Sequence, residues 1–275
     1  MKPLAESLLD LCQRAANTAP LPRVHHVYIP PANSNFSKSR KFGLVVLEDN
    51  STGFFFNLLE PDNSTQLARL PTDTLELAQW FKHDTIHHRG LGLGAISAIA
   101  QWFFRRHGFM PDFAGNPMAD FNFDDNDHVG MVGYFPALVR KLREKNIPLT
   151  VLELNEEYLE TGDRFQVTLD PNALGSCNKV LCTASTIIND TVDEILASVA
   201  GAQHVALIGP SAGCFPDPLF ERGVAVVGGS LVTDHKALEA HCEAETDWEN
   251  SVIKYCLKPD TYPGFTALLE GPQAD

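Results

Sequence analysis

The sequence predicts an α/β protein in two parts: an N-terminal α+β arrangement, then a Rossmann-like domain with a mostly parallel sheet. Three observations predict it. Residues 128–155 read as an apolar strand, a glycine turn at Gly133, an amphipathic helix and a second strand that ends at the acidic Glu153. After this unit the strand-then-helix rhythm continues, with strands at 179–183, 204–208 and 224–228. Before it the rhythm is absent.

The N-terminal elements follow from their patterns. Residues 4–16 space their apolar side chains for an amphipathic helix, which Pro20 and Pro22 end. Residues 24–29 have strand character. The polar stretch 30–41 reads as a loop that could lie over a cleft. Apolar runs at 42–48 and 54–59, joined by Asp49-Asn50-Ser51-Thr52-Gly53, predict a β-hairpin. Thr72 is expected to cap the next helix, with Asp73 in its first turn and Leu77, Ala78 and Phe81 on its buried face.

Residues 84–108 carry small side chains at 90, 92, 94, 95, 97, 98 and 100, as a helix packed very closely on a neighbour would. Gly90-x-Gly92-x-Gly94 has the wrong spacing for a dinucleotide turn, and no P-loop lysine follows it. We therefore expect an α+β domain over 1–110 and a linker or loop over 111–127. The Rossmann-like domain should then cover 128–275, with helices at 136–145, 190–199 and 216–222 and another beginning near Ala237. The stretch 162–176 breaks the rhythm and reads as a loop or short crossover.

Composition removes several classes of function. With 275 residues, 44% hydrophobic and 20% charged, the chain is long and apolar enough for real cores. A net charge of −14 offers no basic surface for nucleic acid or an anionic membrane. No apolar run approaches the roughly 20 residues that span a bilayer. Residues 3–16 lack the basic end and apolar core of a secretory signal. The six cysteines form no C-x-x-C pair, as expected of scattered thiols in a reducing cytoplasm. A homodimer is expected on base rates alone.

In an open parallel sheet, ligands collect outside the carboxyl ends of the strands, so candidate site residues are sought there. The first tip is Gly133-Tyr134-Phe135, leading into a helix that Pro136 suits at its first turn. Gly130 and Gly133 lack the third glycine of a nicotinamide fingerprint. Glu153 stands about twenty residues on, where such folds hold a ribose hydroxyl. The alternative for Glu153 is an ordinary acidic strand end.

The third tip supplies Thr183, Ser185 and Thr186, with Asn189 or Asp190 able to cap the following helix. At the fourth, Gly209-Pro210-Ser211 opens a wide turn of small residues. Ser211 sits in no nucleophile elbow, and Cys214 reads as a small apolar residue rather than an activated thiol. Gly229 belongs to the fifth tip. Metal signals are weak. His87-His88 with Asp84 are adjacent ligands that face apart on a helix, and the acidic stretch 120–128 lacks an EF-hand's glycine and terminal glutamate and reads as a solvated linker.

These tips resemble the putative heavy-metal chelation family. The resemblance lies in Val129-Gly-Met-Val-Gly-Tyr-Phe-Pro136, Leu152-Glu-Leu-Asn155, the run from Cys182 to Leu196, Leu207-Ile-Gly-Pro-Ser211 with Leu219-Phe220, and Gly228-Gly229. The helix over 90–98 is similar more loosely. The resemblance implies an N-terminal domain like that of enolases, a Rossmann-like C-terminal domain and a site between them. Many relatives have a histidine where this chain has Tyr134, which removes one candidate metal ligand.

Two functions are expected from this. The first is binding of a metal ion or metal-chelating small molecule in the interdomain cleft. The second is an enzyme that uses an adenosine-containing cofactor, such as S-adenosylmethionine, to make or modify a chelator. In it, Glu153 would hold a ribose and Gly133 and Gly209 would admit the cofactor.

Overall fold

In the computed structural model, which describes residues 1–30, 41–57, 70–113, 121–244 and 246–271, the chain opens with helix α1 (Leu4–Ala16). Leu4, Leu8, Leu9, Leu11, Cys12 and Ala15 form its buried face. No side chain of its own caps it. Instead Asp193, far along the chain, accepts from Leu4 N at 2.9 Å, and Arg222 pairs with that carboxylate at 2.6 Å. The helix start is thereby fixed to the α/β half.

Strands β1 (Val24–Tyr28), β2 (Phe42–Leu47) and β3 (Thr52–Phe56) form an antiparallel sheet in that order. The hairpin turn is tighter than the sequence predicts, because Thr52 and Gly53 already pair with Val46 and Val45. Helix α2 (Thr74–Gln79) is capped by Asp73, which accepts from Glu76 N at 2.8 Å. Thr72, the expected cap, instead takes a hydrogen bond from Arg23 at 2.5 Å.

Helix α3 (Ile86–Arg106) is buried over most of its length. Its small residues serve close packing. A Cβ on Gly53 would overlap the Gly94 carbonyl oxygen and stand 2.6 Å from Ala98 N, so β3 lies directly against the helix backbone. A Cβ on Gly92 would likewise meet the backbone of Phe81. No room remains there for phosphate.

The second sheet contains β4 (Val129–Val132), β5 (Leu149–Leu152), β6 (Glu160–Thr161), β7 (Phe165–Thr168), β8 (Lys179–Thr183), β9 (His204–Ile208), β10 (Val226–Val232) and β11 (Val252–Leu257). The order is β11-β10-β9-β8-β4-β5-β7-β6. Six neighbouring strands from β10 to β7 run parallel, and β11 and β6 pair antiparallel at the edges. The parallel strands thus follow the doubly wound order, and the winding reverses between β4 and β8.

Helices α4 (Pro136–Glu144), α5 (Ser185–Ile188), α6 (Val192–Ser198), α7 (Asp217–Phe220) and α8 (His235–Glu243) connect the strands, and α9 (Phe265–Glu270) follows β11. Four sequence expectations change here. The stretch 162–176 holds a strand, β7, rather than a loop. The fifth strand spans Val226–Val232, not 224–228. The helix expected over 190–199 is present as α6, but a separate short helix, α5, precedes it, with Asp190 at φ 64 between them. Edge strand β11 and helix α9 had no counterpart in the prediction.

One apolar cluster joins the two halves, running from α1 and α3 through Phe215 and Phe265. At its centre Phe103 stacks on Phe265 at 4.5 Å. The loop expected over 30–41 lies largely outside the described residues, as do residues 114–120 of the linker expected over 111–127 and the last residues of the run 54–59.

Candidate functional site

In a doubly wound sheet the ligand crevice is expected at the carboxyl edge where the winding reverses, because the connections on either side leave in opposite directions. Gly133 stands on one side of it and Thr183 on the other. Gly133 has φ 83, and a Cβ there would come within 3.0 Å of Thr183 Cγ2. Any larger residue would be strained and would fill the gap. Across the same edge Gly209 has φ 139, a backbone conformation open almost only to glycine, and its amide donates to Gly228 O at 3.0 Å.

The hydroxyls of Thr183 and Ser185 lie 3.1 Å apart, and both residues are half-buried. They can donate to or accept from a ligand in the crevice. Thr186 turns inward, donating to Thr183 O at 2.7 Å. Asn189 closes its own turn by accepting from Thr191. Ser211 is buried and accepts from Phe56 N at 2.8 Å, which ties β3 to the turn Pro210–Ala212. Gly229 sits inside β10, where a Cβ would overlap the Tyr255 ring, so its smallness serves packing.

Glu153 is committed to backbone. Oε2 accepts from Tyr134 N at 2.8 Å, and Oε1 from Leu154 N at 2.7 Å and Asn155 N at 3.3 Å. The carboxylate therefore locks the β4–α4 turn to the end of β5. Tyr134 stacks on Tyr158 with ring centroids 4.8 Å apart, and Phe135 packs beneath the turn against buried residues of the sheet.

Arg89, in the first turn of α3, was not anticipated from the sequence. Its side chain is largely buried, with Nη2 3.6 Å from Asp190 Oδ1. That nitrogen makes no hydrogen bond among the described residues. It brings a guanidinium from the N-terminal half to the loop that follows α5. No spacing pattern around residue 89 marks it; only the tertiary approach of α3 to α5 does.

Other reactive groups are occupied or quenched. Burial pushes the Cys182 and Cys214 thiols up to about 12, so neither is a thiolate near neutrality. His83 and His88 stack at 4.1 Å rather than converging, and Thr85 Oγ1 bonds to Nδ1 of both. Asp127 is buried, not solvated as the linker reading expected. It accepts from Lys179 Nζ at 2.7 Å, from Asp124 N and from Asn178. Burial alone would raise its pKa, but those donors hold the carboxyl below its ordinary value. Among the described residues no group of three or more His, Cys, Asp or Glu could hold a metal ion. The donor set thus does not fit a bare metal held by described side chains.

Three relatives bear on this geometry. An uncharacterized protein of Methanocaldococcus jannaschii is 27% identical over 210 residues, spanning 73% of this chain and 78% of that protein. Two crystal structures of proteins of unknown function share the fold. That from Pyrococcus horikoshii has a TM-score of 0.69 and 21% identity, covering 91% of this chain and 99% of the other. That from Desulfitobacterium hafniense has a TM-score of 0.65 and 21% identity, covering 92% and 98%. Both belong to the domain of unknown function 364 family, and the model of that family, described as putative heavy-metal chelation, matches residues 116–246 here. The similarity to the putative heavy-metal chelation family therefore lies in residues 116–246, which span the parallel strands and their carboxyl edge.

Proposed function

We propose that the protein binds a small metal-chelating molecule, rather than a bare metal ion, at the carboxyl-edge crevice. The observation that carries this reading is the Gly133–Thr183 approach across the reversal point, with no side chain at Gly133 or Gly209 to fill the edge. The edge offers the hydroxyls of Thr183 and Ser185, which suit an organic ligand. The metal's own donors would then come from that ligand. The family's description supports a connection with heavy metals.

The adenosine-cofactor reading has less support. Oε1 of Glu153 already takes two amides and Oε2 one, so the ribose role would compete with a structural one. We further propose a cytoplasmic homodimer with a division between domains near 110–128. The six free, buried cysteines support a reducing compartment, and no described helix is long and apolar enough to cross a membrane.

Thermal-shift measurements separate these readings. Ferric and nickel citrate are expected to raise the melting temperature while the bare ions and S-adenosylmethionine do not. Thr183→Val should remove the effect. A shift with S-adenosylmethionine alone would favour the enzyme, and one with bare ions would favour direct coordination.

A further inference from the structure

A cavity of about 350 Å³ lies between the β2–β3 turn, the second half of α3 and the end of β10. That is at the lower end of the range for small-molecule sites, roughly 300–1,000 Å³. None of the carboxyl-edge site residues lines it. Both halves of the chain contribute: Phe54, Ser97, Phe104 and Arg105 from one, Val232 and His235 from the other.

Ser97, Gln101 and Arg105 stand four residues apart on α3, so they follow one face over about 12 Å of helix rise. Each offers something different. Ser97 is 2% exposed, and its hydroxyl has no hydrogen-bond partner among the described residues. A buried hydroxyl left in that state is costly unless something enters to meet it. Gln101 is spent on β3, its Oε1 accepting from Thr52 N. Arg105 is half-exposed at the rim. Its Nη1 donates to Asp49 O at 2.9 Å and lies 3.6 Å from Asp49 Oδ2. Its hydrogen bonds among the described residues all leave through Nη1, so the Nε–Nη2 edge is available for a planar anion.

The charge present limits the ligand. Asp49 already offsets part of the guanidinium charge. Burial first, and Arg105 second, hold His235 below the ordinary histidine pKa, so it adds no second cation near neutrality. A monoanion suits this rim and a phosphate dianion does not. Phe54, Phe104 and Phe109 are among the residues that line the cavity. We propose that this cavity binds a small aromatic monocarboxylate carrying a ring hydroxyl, its carboxylate on Arg105, its ring among the phenylalanines and its hydroxyl on Ser97.

Isothermal titration of the full chain with 3-(4-hydroxyphenyl)propionate tests this, with 3-phenylpropionate and the corresponding carboxamide as companions. The hydroxylated acid is expected to bind with a Kd of about 1 mM or tighter. The carboxamide should bind about tenfold more weakly. Arg105→Gln should weaken both acids by a similar factor. Ser97→Ala should weaken only the hydroxylated acid, and it should melt no lower than the parent because it removes an unpartnered group. Failure of the parent to bind either acid overturns the proposal, and so does equal affinity for acid and carboxamide. An unchanged Kd for the hydroxylated acid in Ser97→Ala removes the ring hydroxyl from it. The acid–carboxamide comparison uses the unaltered protein, so it stands even if a variant fails to fold.

Discussion

Replacing Glu153 by alanine separates a structural carboxylate from a ligand-binding one. Three backbone amides point at its two oxygens, from Tyr134, Leu154 and Asn155. Leu154 is 73% exposed and Asn155 is also at the surface, so water can replace the carboxylate on their amides. The Tyr134 amide is half-buried at the β4–α4 turn and loses most. A hydrogen bond to a charged acceptor contributes about 1.5–3 kcal/mol net, so Glu153→Ala should cost about 2 kcal/mol. In a chain of this size that lowers the melting temperature by about 4–8 °C. Glu153→Gln keeps one acceptor oxygen and should lose about half as much. Scanning calorimetry on ligand-free protein reads both numbers. If both variants melt within about 1 °C of the parent, the clamp contributes nothing and the reasoning is wrong.

Other outcomes follow from the packing and the buried charges. Gly53→Ala drives a methyl into the backbone of α3, which cannot move aside as a side chain could; urea denaturation should show a loss of about 3 kcal/mol or more. Gly201→Ala, where a Cβ meets nothing within 4 Å, should fall within about 1 kcal/mol of the parent in the same experiment. Asp127→Ala strands Lys179, whose side chain is 15% exposed, and should cost about 3 kcal/mol by the same measurement. Because the folded pKa of Asp127 is depressed, its stabilisation is complete above the ordinary carboxylate range, near pH 4, and is lost as pH falls through the lower folded value. Asp127→Asn should remove that part of the acid transition. All six cysteines are buried, so a thiol reagent at pH 8 should label the native protein far more slowly than the urea-unfolded chain. Rapid labelling of Cys214 would contradict its assignment as an inert core residue.

The sequence was legible where burial is continuous. β4, β5, β8 and β9 are short apolar runs whose ends fall within a residue or two of their predicted positions, because a strand covered on both faces has no polar alternation to blur it. The small-residue face of α3 also announced its close neighbour. β7 was hidden because Phe-Gln-Val-Thr is four residues long and surrounded by polar turns. β11 was hidden because edge residues Ile253 and Lys254 are exposed and break the apolar run. At the site, Gly133 and Thr183 were separately visible as strand tips, but their meeting depends on sheet order. Glu153 was placed correctly at its strand end, yet a side chain bonded to backbone amides leaves no trace in residue spacing. Arg89, Ser97 and Arg105 became visible only once α3 lay between the hairpin and the second sheet.

Native mass spectrometry with elemental analysis of the untagged protein tests the central claim most directly. Binding of a metal-chelating molecule predicts one added mass that contains an organic component and its metal together, lost in Thr183→Val. A metal bound without an organic component, or no uptake of either after incubation with ferric or nickel citrate, would contradict it.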